Sequence, residues 1–127
     1  MLSRAHRFHG HNSLRYVYQH GDTVRGPLTA MKYTTNSRRD TYRAAVVVSK
    51  KVSKFAVKRN RIRRRLYEAI RQVEGRITQP YDLVVTVFHE QIADLPQNEL
   101  DRLVKAQLKQ AGILEKTSKE SKNISTN

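Results

Sequence analysis

The chain of 127 residues carries 25 Lys and Arg against 11 Asp and Glu, for a formal net charge of +14 at pH 7, and 38% of it is hydrophobic. That length holds one modest core, and the charge points to a polyanionic partner, with nucleic acid ahead of an anionic membrane surface. No apolar run approaches the roughly 20 residues of a spanning helix, residues 1–10 lack the apolar centre of a signal peptide, and without Cys there are no disulfides, thiolate nucleophiles or Cys-based zinc sites. A cytoplasmic protein without redox chemistry is expected.

"NSLRYVYQHG" predicts a short helix, with Asn12 or Ser13 as cap, Leu14, Val17 and Tyr18 on one face, and Gly21 just past its end. "PLTAMKYTT" and "TYRAAVVVS" predict strands separated by the turn residues of "NSRRD". The second is apolar without interruption from Ala44 to Val48, which predicts a central strand covered on both faces.

After "KKVSKF" comes the most charged stretch, "AVKRNRIRRR", with Lys58, Arg59, Arg61, Arg63, Arg64 and Arg65 inside eight residues. Ile62, Leu66, Ala69, Ile70 and Val73 recur at helical spacing, so the segment is a helix anchored on an apolar side, with Arg61, Arg64, Glu68 and Arg71 turned away from it. Lys58 and Arg59 project close to the apolar arc and are therefore expected at the end of the helix, beyond the covered core. "QPYDLVVTVFH" is a further strand introduced by Pro80, which makes a β-α-β unit around the basic helix. "QNELDRLVKAQLKQAGIL" predicts a last helix, with Asn98 as cap, Leu100, Leu103, Val104 and Leu108 as its apolar stripe and Gly112 as its stop. The order α, β, β, α, β, α, with room for one extra short strand early on, describes a mixed sheet with helices packed on it. Residues 1–114 form the expected single domain, and the polar residues 115–127 an expected disordered tail.

A protein-only metal-dependent nuclease needs converging carboxylates. The acidic residues are scattered, and Asp82 and Glu90 stand eight positions apart around one strand. His6, His9 and His11 make the only other constellation, in a Gly- and Asn-containing segment with no evident fourth ligand, so a solvated or RNA-facing arm is expected and no metal site. The basic helix lacks the alternating acids of a solvated charged face: between Lys50 and Gln72 the only acid is Glu68. An unpaired basic stripe is the electrostatic footprint of a nucleic-acid contact, and arginine forks add two-point contacts to phosphate. Asn60 reads equally as a helix cap, a bridge to a loop or an RNA contact, and Tyr18, Tyr33 and Tyr42 as core aromatics or stacking platforms.

"RNRIRRRLYEAIR", preceded by "VVVSKKVSKFAVK", resembles the signature of the bacterial ribonuclease P protein subunit, and Arg7, Phe8 and "YVYQHG" resemble its N-terminal segment. The resemblance runs from about Arg4 to Leu114. It implies an α+β fold, an α/β sandwich similar to a ribosomal-protein domain, of order αβββαβα and with a left-handed β-α-β crossover, against the general right-handed rule. It further implies that the partners are the catalytic RNA of ribonuclease P and the 5′ leader of precursor tRNA. Magnesium is then held mainly by the RNA, with no catalytic residue in the protein, no membrane and no obligate protein partner. Carried onto this sequence, Lys50, Lys51, Lys58, Arg59, Asn60, Arg61, Arg63, Arg64 and Arg65 are expected to bind the RNA subunit, and Leu14, Tyr18 and Tyr33 to line the leader cleft. Leu14 stands where the family often has Phe, Tyr67 where a basic residue is common, and Ala45 where glycine is frequent. A structural RNA-binding protein of the ribosome type is the rival reading, and a small DNA-binding protein a more distant one, since the apolar face of the basic helix ties it to its sheet.

Overall fold

The structure is a computed structural model that describes residues 11–114, with side chains from residue 14 onward. Helix α1 (His11–His20) is already helical at His11, so Asn12 and Ser13 lie in its first turn rather than capping it. Val17 anchors it with no exposed surface. The Gly21 N–H closes the helix on the Val17 carbonyl at 2.7 Å. A Cβ at Gly21 would stand 2.6 Å from the Val17 oxygen and 2.9 Å from the Tyr33 oxygen, so the close approach of helix end to sheet requires glycine here.

Strands β1 (Asp22–Arg25), β2 (Thr29–Thr35), β3 (Arg43–Val47) and β4 (Tyr81–Val87) form one sheet in the order β1-β2-β4-β3. β1 is the extra short strand. β2 pairs antiparallel with β1 and β4, and β3 runs parallel to β4. Parallel neighbours need a crossover, and helix α2 (Ala56–Arg71) supplies it, as the β-α-β reading expected.

The central position expected for "AAVVV" is overturned: β3 is an edge strand. The burial that suggested a centre is nonetheless present on both of its faces. Ala44, Val46 and Val48 point to the main core, and Ala45 and Val47 to a smaller cluster under α1. The edge is itself partly covered, because the Val46 N–H donates to the Tyr67 hydroxyl at 3.2 Å. An apolar run reports two covered faces; it carries no information about hydrogen-bonded neighbours.

Period-two alternation splits the sheet cleanly. Met31, Leu83, Val85 and Val87 face α2 and helix α3 (Gln97–Ala111), where Ile62, Leu66, Ala69, Ile70, Leu100, Val104 and Leu108 complete the main core. Val84 and Ala45 face the other way and pack with Val17 and half-buried Leu14. The sheet is therefore covered by α1 on one side and by α2 and α3 on the other.

α3 begins one residue before Asn98, after Pro96, and has no side-chain cap, which corrects the expected cap. Gln97 instead reaches Asp101 at 2.8 Å within the first turn. Gly112 ends the helix with φ of 79°, as its place in the sequence predicted. Among the described residues no helix is long and apolar enough to cross a membrane.

Candidate nucleic-acid interface

Ile62, Leu66, Ala69 and Ile70 are buried as predicted, whereas Val73 lies past the end of α2 and is only half-buried, and the buried face determines where the charges of the helix go. Asn60, Arg61 and Arg64 are exposed on the side away from the core, at the spacing that puts them in one stripe with Val57 and Arg71. Glu68, the one acid in this stretch, is already engaged. Arg71 donates to both of its carboxylate oxygens, with Nε at 3.0 Å, and holds the carboxyl down at about 2. The N-terminal half of the stripe keeps its positive charge.

Residues at the flanks of the stripe are held by the chain. The Arg59 Nη1 donates to the Ser53 carbonyl at 2.9 Å, tying the helix to the turn in which the Val52 N–H donates to the Ser49 carbonyl. That turn carries exposed Lys50 and Lys51. Lys58 lies 3.7 Å from the exposed Glu90 carboxylate. Arg63 donates to the Asn60 side-chain oxygen. Asn60 therefore sits inside α2 and does not cap it, since Phe55 occupies the N-cap position without a side-chain bond.

Arg65 turns the other way. Its Nη1 donates to the Ile92 carbonyl at 2.7 Å, Nη2 to the Leu95 carbonyl and Nε to Gln97 at 3.2 Å. These contacts pin the 3-10 turn Glu90–Ala93 and the start of α3 against α2, which is a structural task. In an unbroken run of Arg63, Arg64 and Arg65, helical rotation alone separates the outward residue from the inward one.

A second surface lies on the α1 side of the sheet. Tyr18 is exposed on α1, and Lys32 of β2 donates to its carbonyl at 2.8 Å, with the ammonium 5.9 Å from the Tyr18 ring centre. At the far end Arg25 stands 5.5 Å from the ring centre of exposed Phe88. Cations beside open rings on a sheet face are what stacks unpaired bases and meets their phosphates. Tyr33 does not join them. It follows Lys32 by one residue, so it faces the α2 and α3 side and meets Tyr81 edge-on at 6.2 Å. Leu14 packs into the small cluster under α1, and Tyr42 is a core residue bonded to Glu74 at 2.6 Å.

The family model described as Ribonuclease P matches residues 2–112. The chain belongs to the ribonuclease P protein family. The ribonuclease P protein component of Chloroflexus aurantiacus is 36% identical over 120 residues, covering 94% of this chain and 87% of the relative. That of a Pseudanabaena species is 38% identical over 87 residues, covering 68% and 75%. The solved Staphylococcus aureus RNase P protein superposes with a TM-score of 0.77 at 23% identity, covering 88% of this chain and all of that one. The Thermotoga maritima protein gives 0.69 at 21%, covering 76% and 89%, and both likenesses show the fold.

In this ribonuclease P family member the motif residues thus divide by geometry: Asn60, Arg61 and Arg64 face outward, Lys50 and Lys51 sit on the adjoining turn, Lys58, Arg59 and Arg63 are held at the flanks, and Arg65 is directed inward. Phe55 and Phe88, both exposed, were missed by the sequence reading. Phe88 was within reach, because it continues the alternation of Val84 and Thr86 onto the α1 side. Residues 1–10, which hold His6, His9, Arg7 and Phe8, and the tail 115–127 lie outside the described residues, as does the His11 side chain. Among the described residues no group of three or more His, Asp or Glu is placed to hold a metal ion.

Proposed function

We propose that this chain is the protein component of a ribonuclease P ribonucleoprotein, which assists RNA-catalysed removal of the 5′ leader from precursor tRNA. The outward stripe of α2, with the Lys50–Lys51 turn, docks on the catalytic RNA. The α1 side of the sheet, with Tyr18, Lys32, Arg25 and Phe88, holds the single-stranded leader. The observation that carries this reading is the family match over nearly the whole described chain, on residues that place uncompensated arginines on an exposed helix face.

In this mechanism the protein supplies position and field rather than acid or base chemistry. Phosphates of the RNA release condensed counterions on meeting the arginines, which favours assembly. Alignment of the leader along the sheet fixes the scissile phosphate relative to the RNA active site and lowers the entropic part of the barrier. The magnesium ions of the reaction are assigned to the RNA subunit. The two surfaces lie on opposite sides of one sheet, so both RNAs can be held at once.

The test is precursor tRNA cleavage by a bacterial ribonuclease P RNA in low magnesium, with and without the chain and with an Arg61→Ala, Arg64→Ala variant. Stimulation by the wild type and its loss in the variant are expected. Tight RNA binding without stimulation would transfer the chain to the structural RNA-binding class.

A further inference from the structure

An apolar patch interrupts the cationic end of α2. Phe55 and Val57 are 61% and 78% exposed, the two largest exposures among the big apolar side chains described. They line an open depression of about 580 Å³ together with Lys54, Ala56, Lys58, Arg61, Ala93 and Asp94. Phe55 is itself the N-cap of α2, and the two positions flanking it that would form a hydrophobic staple are the cationic Lys54 and Arg59. The Lys54 ammonium stands 5.5 Å from the Phe55 ring centre.

Such a patch is unfavourable in water, and its surroundings restrict what could cover it. Three of the lining residues are cations, which disfavours a wholly apolar protein surface. A flat π-system joined to a negative charge satisfies both the ring and its neighbours, and an unpaired nucleotide is that combination. Val57 lies in the same outward stripe as Asn60, Arg61 and Arg64, so the patch is continuous with the surface assigned above to the catalytic RNA.

We propose that Phe55 is a stacking platform for an unpaired base of the catalytic RNA, with Val57 at its edge and Lys54, Lys58 and Arg61 on the flanking phosphates. The Asp94 carboxylate in the same depression accepts hydrogen bonds only, so it can take an amino or imino N–H from the edge of the stacked base. The inference rests on the ribonuclease P reading and adds a base contact to a surface otherwise described by charge.

The chain contains no Trp, so Phe55→Trp installs a single indole reporter at the platform. Titrating that variant with the catalytic RNA alone should quench its emission, whereas precursor tRNA alone should leave it unchanged. Phe55→Ala should weaken catalytic-RNA binding about tenfold, within the range of one lost base stack, without altering the slope of log affinity against log salt. Lys54→Ala should reduce that slope by about one. Because Phe55 is exposed, the thermal melt of the Phe55→Ala variant should match the wild type. Wild-type affinity in Phe55→Ala, or quenching by precursor tRNA alone, would overturn the platform while leaving the ribonuclease P reading intact. Failure of the wild type to bind the catalytic RNA would remove that reading and the platform with it.

Discussion

The Arg65 guanidinium donates to the Ile92 carbonyl at 2.7 Å, while Arg64, its neighbour in the chain and about 100° round the same helix, is exposed. Two adjacent arginines therefore serve different ends, and they should separate experimentally. Arg65→Ala should lower stability by about 2 kcal/mol through loss of charge-assisted bonds to the 3-10 turn and to α3. Arg64→Ala should change stability by less than about 0.5 kcal/mol. It should instead weaken RNA binding and lower the salt slope by about one. Urea melts and RNA titrations at several salt concentrations measure both.

Asp82, 4% exposed, accepts from Arg43 at 2.9 Å on each carboxylate oxygen and from Asn36 at 2.9 Å. This joins the starts of β3 and β4 on the α1 side of the sheet. Asp82→Ala removes the shared acceptor from a guanidinium whose side chain is only 14% exposed, and should destabilise the fold by about 3 kcal/mol. An Arg43→Met, Asp82→Leu double variant should recover most of that loss, since it removes both charges from the interior. A shift in the urea midpoint at unchanged slope is the expected form of the effect.

Burial raises the Tyr42 phenol above its ordinary value of 10.0, and the bond to Glu74 raises it further. Above about pH 10 the unfolded chain releases this proton and the folded chain keeps it, so the folded state binds more protons and stability falls as pH rises. The contribution is complete below that pH. Tyr42→Phe should cost about 1 kcal/mol at neutral pH and flatten the alkaline limb of the stability profile. Denaturation between pH 8 and about 11 measures both effects.

Much of this protein was readable before its structure. The apolar positions of α2 predicted which arginines face outward, because 3.6-residue periodicity is local and Ile62, Leu66, Ala69 and Ile70 leave one way to bury the helix. Gly112 and the β-α-β unit were legible for the same reason: caps and crossovers leave local marks. The Asn98 cap was not, because several polar residues near Pro96 could open α3 and only the backbone path chooses among them.

What only the tertiary structure decided are relationships between distant segments. β3 looks central because apolar runs record coverage of faces, yet its place at the edge depends on β4 inserting beside β2. The family resemblance placed Tyr33 with Leu14 and Tyr18 in the leader cleft, and a one-residue step along β2 sends it through the sheet to the other side. Arg65 carries the same charge as Arg64 in the sequence and finds its acceptors about thirty residues away, in a turn whose position only the folded chain specifies. Periodicity and composition established that this protein displays arginines to a polyanion. Long-range packing determined which of them are available, because that depends on the carbonyls each one meets.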